Sequence, residues 1–162
     1  MKYYKEKIFW KNIQDSKECF VEEWQETTED YYSFVRRQTL QKHHQVAVTS
    51  DMMLELISEV ATDPKINISK IEMLEENSED EAFVNKLIND SKTNRLLLIN
   101  LIEKLRYLSE DSSVEIKRAY FVEKTDNDLN NIVFVQVNGL IGFNKQSRVI
   151  DHLMNIVKRH ID

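Results

Sequence analysis

Glu115 and Lys117 are the residues whose types and spacing come nearest to a catalytic pattern. One residue separates them in a segment predicted to be a strand, where alternation would place both side chains on one face. Such a pair is half of a metal-dependent nuclease site, in which it holds a cation and an attacking water. The site needs a further acid from a separate strand, and the sequence supplies none in a suitable context. We therefore expect both residues to be non-catalytic, and we keep a metal-dependent nuclease or hydrolase as an alternative.

The histidines and the cysteine do not form a metal-binding pattern. His43 and His44 are adjacent, and His152 and His160 are about two helical turns apart, so neither pair has the spacing that binds one ion. Cys19 is the only cysteine, which excludes an intramolecular disulfide and a cysteine-based zinc cluster. From the sequence we expect no catalytic residue, no metal and no cofactor.

The composition predicts one acidic, globular domain over residues 1–162. The chain is 41% hydrophobic and 31% charged, which is typical of a protein with an ordinary core. Two glycines and one proline leave few residues for tight turns, so long helices are expected and a glycine-rich phosphate loop is excluded. No window approaches the roughly 18 apolar residues that span a bilayer. We therefore expect a cytoplasmic protein that does not act at a membrane.

Residues 114–143 carry the clearest strand signal. Apolar and charged residues alternate over 114–123, a polar run follows, and residues 132–137 are rich in β-branched and aromatic side chains. This pattern predicts an antiparallel β-hairpin. Because nearly all other segments have helical spacing, the hairpin sets the predicted class as α+β.

The other segments predict mainly helices. Apolar residues three, four or seven apart predict one bent helix or two over 8–40. Further helices are predicted over 51–61, after Ser78, over 95–108 as the central core helix, and after Asn144. Residues 45–48 fit a linker or a strand, and 67–74 fit a short helix or a strand. The predicted fold is a helix-rich N-terminal two-thirds, followed by a C-terminal antiparallel hairpin with a final helix packed on it.

Acidic residues between positions 15 and 30 form the predicted partner surface. On a helix, acids three, four and seven residues apart lie along one face and produce a concentrated negative field. The net charge of −6 disfavours nucleic acid as the partner and favours a basic protein, with self-association by charge matching as an alternative. The predicted partner-binding residues are Glu18, Glu22, Glu23, Glu26, Glu29 and Asp30, with Glu75, Glu76, Glu79 and Asp80 as a second candidate surface.

The function that the sequence favours is a non-enzymatic protein-binding module, such as an inhibitor, immunity or regulatory protein that acts on a basic partner. This expectation rests on the acidic composition and on the lack of a catalytic pattern. A small-ligand sensor with a pocket between the hairpin and the helices is a further alternative. Aromatic and basic residues interleave over positions 2–11, and we expect them to pack on the core as an N-terminal helix.

Overall fold

The computed structural model describes residues 3–74, 78–111, 114–125 and 130–161. Within these residues the chain forms five helices and a seven-stranded antiparallel sheet. The strands are β1 (Tyr4–Ile13), β2 (Ser16–Glu23), β3 (His44–Gln45), β4 (Ile66–Met73), β5 (Ile116–Lys124), β6 (Asn130–Gln136) and β7 (Leu140–Phe143). The helices are α1 (Tyr31–Leu40), α2 (Ser50–Val60), α3 (Ser78–Ser91), α4 (Leu97–Asp111) and α5 (Arg148–Ile161).

The strand order is β2-β1-β7-β6-β5-β4, and β3 pairs with β1 beside β7. The first strand therefore lies inside the sheet, where Tyr4 pairs with Phe143 from the far end of the chain. Helix α3 caps the β4 edge, because the Asn85 side chain accepts from the N–H of Ile71 and donates to its carbonyl, both at 3.0 Å. The β2 edge carries Lys17 and several glutamates, and such charges oppose pairing with another sheet edge.

The predicted division into a helix-rich N-terminal two-thirds and a C-terminal hairpin is wrong. Strands occur throughout the chain, and residues 8–40 form β1, β2 and only then α1. The cause is that β1 is buried on both sides: Ile8 belongs to the main core, whereas Phe9 contacts Phe34 of α1. A strand covered on both faces has consecutive apolar residues instead of alternation. The fold is nevertheless of the α+β type.

Two hairpin turns of the structure are absent from the sequence-based prediction, for different reasons. The β1–β2 turn consists of Gln14 and Asp15, with φ of 44° and 67°. Positive φ at both positions is typical of a two-residue turn, but Asn-Gly is the usual signal. The β6–β7 loop has that signal, Asn138-Gly139, and Gly139 has a φ of 83°. The Asn138-Gly139 dipeptide thus indicates a turn into a third strand, β7, after the predicted hairpin.

Several predicted elements are confirmed. The β5–β6 hairpin forms within residues 114–143, and helices α2, α3, α4 and α5 lie in the segments predicted for them. The ambiguous segment 67–74 lies largely in β4, and the segment 45–48 contributes only Gln45 to β3. Asn144 does not cap the last helix: its side chain accepts from the N–H of Ile132, whereas Ser147 accepts from the N–H of Val149.

Helices α2 to α5 pack on one face of the sheet and form the main core with it. Helix α2 is the most deeply placed, since seven of its eleven residues are buried. Helix α4 buries Leu101, Leu105 and Leu108 but leaves Ile99 and the preceding Leu96 exposed. The prediction that α4 is the central core helix is therefore wrong, and α2 takes that place.

The opposite face of the sheet is covered by α1 at one end only. Helix α1 packs Phe34 on Phe9, and the cross-strand neighbours Gly142, Phe134 and Tyr120 lie beyond it on the same face. No described helix packs over these three residues. Among the described residues, none of the helices combines the length and the apolar character needed to cross a membrane.

Candidate functional site

A groove of 530 Å³ runs across the uncovered part of the sheet. One wall comes from β5 and β6, and the other comes from the end of β2 and the loop that leads to α1. The lining residues are Tyr3, Tyr4, Lys5, Glu23, Trp24, Gln25, Glu26, Thr27, Arg118, Tyr120 and Phe134. Its volume lies within the usual range of ligand-binding sites.

The floor of the groove is the ring of Phe134, which lies directly on Gly142 of the neighbouring strand. A Cβ atom at position 142 would stand 2.2 Å from the Phe134 ring, which is closer than real contacts allow. Glycine at this position therefore lets the ring lie against the sheet backbone. The ring is 5% exposed, and it stacks on Tyr3 with 5.9 Å between centroids.

Arg118 is held over this floor by hydrogen bonds to its neighbours. Its Cζ atom lies 4.5 Å from the Phe134 ring centroid, within the range of a cation–π contact. Nε and Nη2 donate to the Gln136 side-chain oxygen, and Nη1 donates to the Tyr120 hydroxyl at 2.9 Å. Among the residues that the structure describes, no carboxylate forms an ion pair with this guanidinium. Its half-buried positive charge thus has no ion-pair partner in the described part of the chain.

The Tyr120 hydroxyl links Arg118 to a neighbouring ion pair. It accepts from Arg118 and donates to the Glu72 carboxylate at 2.9 Å. Lys70 lies 3.6 Å from the same Glu72 oxygen. The nearby Glu72 carboxylate is therefore paired with Lys70 and held by Tyr120, and Arg118 has no ion-pairing acid among the described residues.

Tyr3 presents a hydroxyl at the opening of the groove. Burial raises the pKa of Tyr3 to about 12, the neighbouring Tyr120 adds to the rise, and Arg118 opposes it. The hydroxyl therefore keeps its proton at neutral pH and can donate a hydrogen bond. No partner for it occurs in the described ranges of the chain. Tyr3 and Arg118 are thus two donors with unused capacity over one aromatic floor.

The other wall is built on Trp24. Its indole N–H donates to the Glu29 carbonyl at 2.8 Å, and its backbone N–H donates to the Lys5 carbonyl at 2.9 Å. The Lys5 ammonium lies 5.5 Å from the Trp24 ring centroid and forms an ion pair with Glu26. This wall is therefore aromatic and carries a balanced pair of charges.

Lys7 lies on the same face of the sheet but is sealed beneath α1. Its ammonium donates to the Asn138 carbonyl and lies 5.7 Å from the Tyr31 ring centroid. Burial lowers the pKa of Lys7 to about 8. The side chain is 0% exposed, so it is a buried structural amine outside the groove.

The six predicted partner-binding residues do not share one helical face. Glu18, Glu22 and Glu23 lie on β2, Glu26 and Glu29 lie in the following loop, and Asp30 caps α1. Of these, Glu23 and Glu26 line the groove. In the second candidate surface, Glu75 and Glu76 lie outside the described residues. The helical premise is wrong, whereas binding by these acids stays a prediction.

Internal contacts engage four of these six acids, among which Glu23 accepts from the Gln25 side chain at 2.9 Å. Glu26 pairs with Lys5, and Glu29 pairs with Arg37 at 2.9 Å. The hydrogen bond from Arg37 lowers the pKa of Glu29, and hydrogen bonds from Ser33 lower that of Asp30. The field that the sequence predicted is therefore partly neutralised by neighbouring cations.

Glu115 has a structural role. It precedes β5, and its carboxylate accepts from the hydroxyl of Ser50, the first residue of α2, at 2.6 Å. The Ser50 hydroxyl in turn accepts from the N–H of Ile116. Lys117 is exposed, beside a register shift between β4 and β5. Within the described residues, no group of three or more His, Cys, Asp or Glu side chains is placed to hold a metal ion.

A second cleft, of 520 Å³, lies between α2, α4 and α5. Four acids line it together with Arg106 and His160; they are Asp51, Glu55, Glu59 and Glu110. Arg159 lies 3.0 Å from Glu59 and 3.6 Å from Glu55, and His160 lies 3.2 Å from Glu55. The pKa of Glu59 is lowered, because hydrogen bonds from Arg159 and His152 outweigh the effect of burial. Two of the four acids in the cleft, Glu55 and Glu59, are therefore paired internally.

Comparisons with protein-family models, curated proteins and solved structures found no significant match to this chain. The case for a functional site therefore rests on its geometry. One part of the groove was visible in the sequence, because the interleaved aromatic and basic residues at positions 2–11 include Tyr3 and Lys5. In β1, alternation places Lys5 on the same face as Phe9. The partners from β5 and β6 had no comparable local signal.

Proposed function

We propose that the protein is a non-enzymatic binding module, and that the groove over Phe134 binds an extended segment of a partner protein. The observation that carries this proposal is the uncovered sheet face, where aromatic rings surround a guanidinium that no described carboxylate balances. Aromatic and arginine side chains are the residues that contribute most to protein interfaces. A chain that uses them on an open surface is suited to bind a protein.

Charge favours a protein segment over a nucleic acid. A nucleic acid backbone needs several cations in a row, whereas this groove has Arg118 and a Lys5 that is already paired with Glu26. Glu23 and Glu26 on the rim would repel phosphates, as would the net charge of −6. An extended peptide places one charged and one apolar side chain in the groove without this repulsion.

Selection from a displayed random peptide library tests the proposal. Peptides that bind the wild-type protein should lose at least about tenfold in affinity for Tyr3→Ser and Arg118→Ala, since each removes a central contact. The matched controls Tyr107→Ser on α4 and Arg36→Ala on α1 lie outside the lining of the groove and should leave affinity unchanged. Peptides whose affinity depends on the control pair and not on the groove pair would refute the proposal.

A basic partner is the second candidate, and the acidic cleft between α2, α4 and α5 favours it. A basic side chain there would replace Arg159 as the partner of Glu55 and Glu59. Binding of this kind should weaken with salt and should be lost in Glu55→Gln/Glu59→Gln. If the selected peptides are rich in lysine and arginine and lose affinity for this double variant, the cleft and not the groove is the binding site.

A further inference from the structure

Arg118 retains hydrogen-bonding capacity that the fold does not use. A guanidinium carries more N–H donors than its three described bonds consume, so each terminal nitrogen keeps one N–H. Gln136 and Tyr120 fix the plane of the group, and Phe134 supports it from below. Half-buried charges are normally paired, because removing a charge from water is costly. The fold thus holds an oriented cation for which the described residues supply no carboxylate partner.

The Tyr3 hydroxyl provides a second donor beside this cation. Both side chains contact the Phe134 ring, Arg118 through its guanidinium and Tyr3 by stacking at 5.9 Å. The hydroxyl has no partner among the described residues and keeps its proton at neutral pH. An acceptor group beside these two side chains would therefore meet donors from Arg118 of β5 and from Tyr3, which directly precedes β1.

We infer that Arg118 and Tyr3 form a carboxylate subsite of the groove, which takes one acidic side chain or chain terminus of the bound segment. The inference rests on the proposed binding function and names the chemistry that it recognises. Arginine presents paired N–H groups that match the two oxygens of a carboxylate. The aromatic walls, Tyr3 and Trp24, suit an apolar residue next to the acid.

Charge balance favours a carboxylate over a phosphate. The groove lining carries two cations, Lys5 and Arg118, and two carboxylates, Glu23 and Glu26, and among the described residues Lys5 is paired whereas Arg118 has no ion-pair partner. One carboxylate would pair with Arg118, whereas a phosphate monoester carries about two negative charges at neutral pH and would leave an excess. Glu23 and Glu26 at the rim would increase this excess.

Four small probes test the subsite by NMR titration of the full chain. N-acetylphenylalanine presents a terminal carboxylate, and N-acetylphenylalanyl-aspartyl amide presents a side-chain carboxylate. N-acetylphenylalanine amide lacks the charge, and phenyl phosphate presents a phosphate. The carboxylate probes should bind about tenfold more tightly than the amide, because charge-assisted hydrogen bonds are the stronger ones. The stronger of the two carboxylate probes shows whether a chain terminus or a side chain is preferred.

Variants assign the preference to its residues. Arg118→Gln should abolish it, and Arg118→Lys should retain only part of it because lysine lacks the planar fork. Tyr3→Phe keeps the stacked ring and should weaken carboxylate binding about threefold through the lost hydroxyl donor. Arg36→Gln on α1, outside the lining of the groove, is the control and should change nothing. Circular dichroism and thermal unfolding verify that each variant is folded.

Any of four results would overturn the subsite. The first is equal binding of the amide and the carboxylate probes, and the second is a carboxylate preference that survives in Arg118→Gln. The other two are tighter binding of phenyl phosphate than of either carboxylate, and no binding of any probe. If selected peptides bind the groove without needing a carboxylate, the subsite is wrong while the proposed function stands. If the probes behave as expected but no selected peptide depends on the groove, the proposed function is wrong and the subsite stands.

Discussion

The two faces of the sheet differ although adjacent residues of the same strands build them. Phe121 of β5 and Val133 of β6 are 0% exposed against the helical layer, whereas Tyr120 and Phe134 point to the groove. The helical side contains the main apolar core, and the groove side contains an aromatic floor beneath a polar network. We infer that stability depends mainly on the first face, which leaves the second face available for binding.

The largest expected change in stability distinguishes the two faces of the sheet at neighbouring residues of β5. Phe121→Ala should cost about 3–5 kcal/mol, because it removes a fully buried ring and leaves a cavity. Tyr120→Ala, its neighbour on the groove side, should cost clearly less because that side chain is only half-buried. Urea unfolding of both variants measures the difference. Equal losses would show that the groove side is as important for stability as the core side.

Gly142→Ala should cost about 1–3 kcal/mol by crowding the floor of the groove. The added methyl group would overlap the Phe134 ring, which must then leave its position over β7. In a Phe134→Leu background the same change should cost less, so the two effects should not add. Additive losses in the double variant would mean that the close contact of position 142 with the ring is unimportant.

The part of this face beneath α1 should respond to pH through Lys7. Its pKa in the folded protein is about 8, against an ordinary value of 10.5, because burial disfavours the charged form. The unfolded chain therefore binds more protons between these values, and stability should rise as the pH increases from about 8 to about 10.5.

The variant Lys7→Met should remove this rise, since methionine has a similar length and no charge. Urea unfolding at pH 7, 8, 9 and 10 measures it as a change in the midpoint. The same pH dependence in the wild type and in Lys7→Met would show that another group causes the rise.

The smallest effect is expected at the rim. Glu26→Gln removes the partner of Lys5, and a partly exposed ion pair contributes about 0–1 kcal/mol. Stability should therefore remain within about 1 kcal/mol of the wild type. A larger loss in thermal unfolding would mean that the rim is part of the scaffold, which would weaken the contrast between the two faces.

The sequence predicted elements correctly where one face of an element alone is buried. Strand β5 alternates buried and half-exposed residues, and α5 carries one buried stripe that includes Leu153 and Ile156. Strand β1 was not predicted, because Ile8 and Phe9 are both buried and the sequence there lacks the alternation of apolar and polar residues. The local pattern of apolar residues indicates a strand that is buried on one side. It does not indicate a strand that is covered on both sides.

The groove was beyond prediction for a different reason. Tyr3 and Phe134 are 131 positions apart in the chain and meet only because β1 pairs with β7 beside β6. That pairing depends on long-range register, which no local spacing encodes. Gly142 was visible in the sequence as one of two glycines, but its role as a support for the Phe134 ring depends on the neighbouring strand.

The most direct test of the account is to map where a selected peptide binds on the sheet. Backbone and side-chain NMR signals of the full chain would be followed during titration with the tightest peptide from the displayed library. We expect saturable shifts at Tyr3, Trp24, Arg118, Tyr120 and Phe134, with α2, α4 and α5 unchanged. Saturable shifts confined to the helical layer, with the groove unchanged, would contradict the claim that the uncovered face is the binding surface.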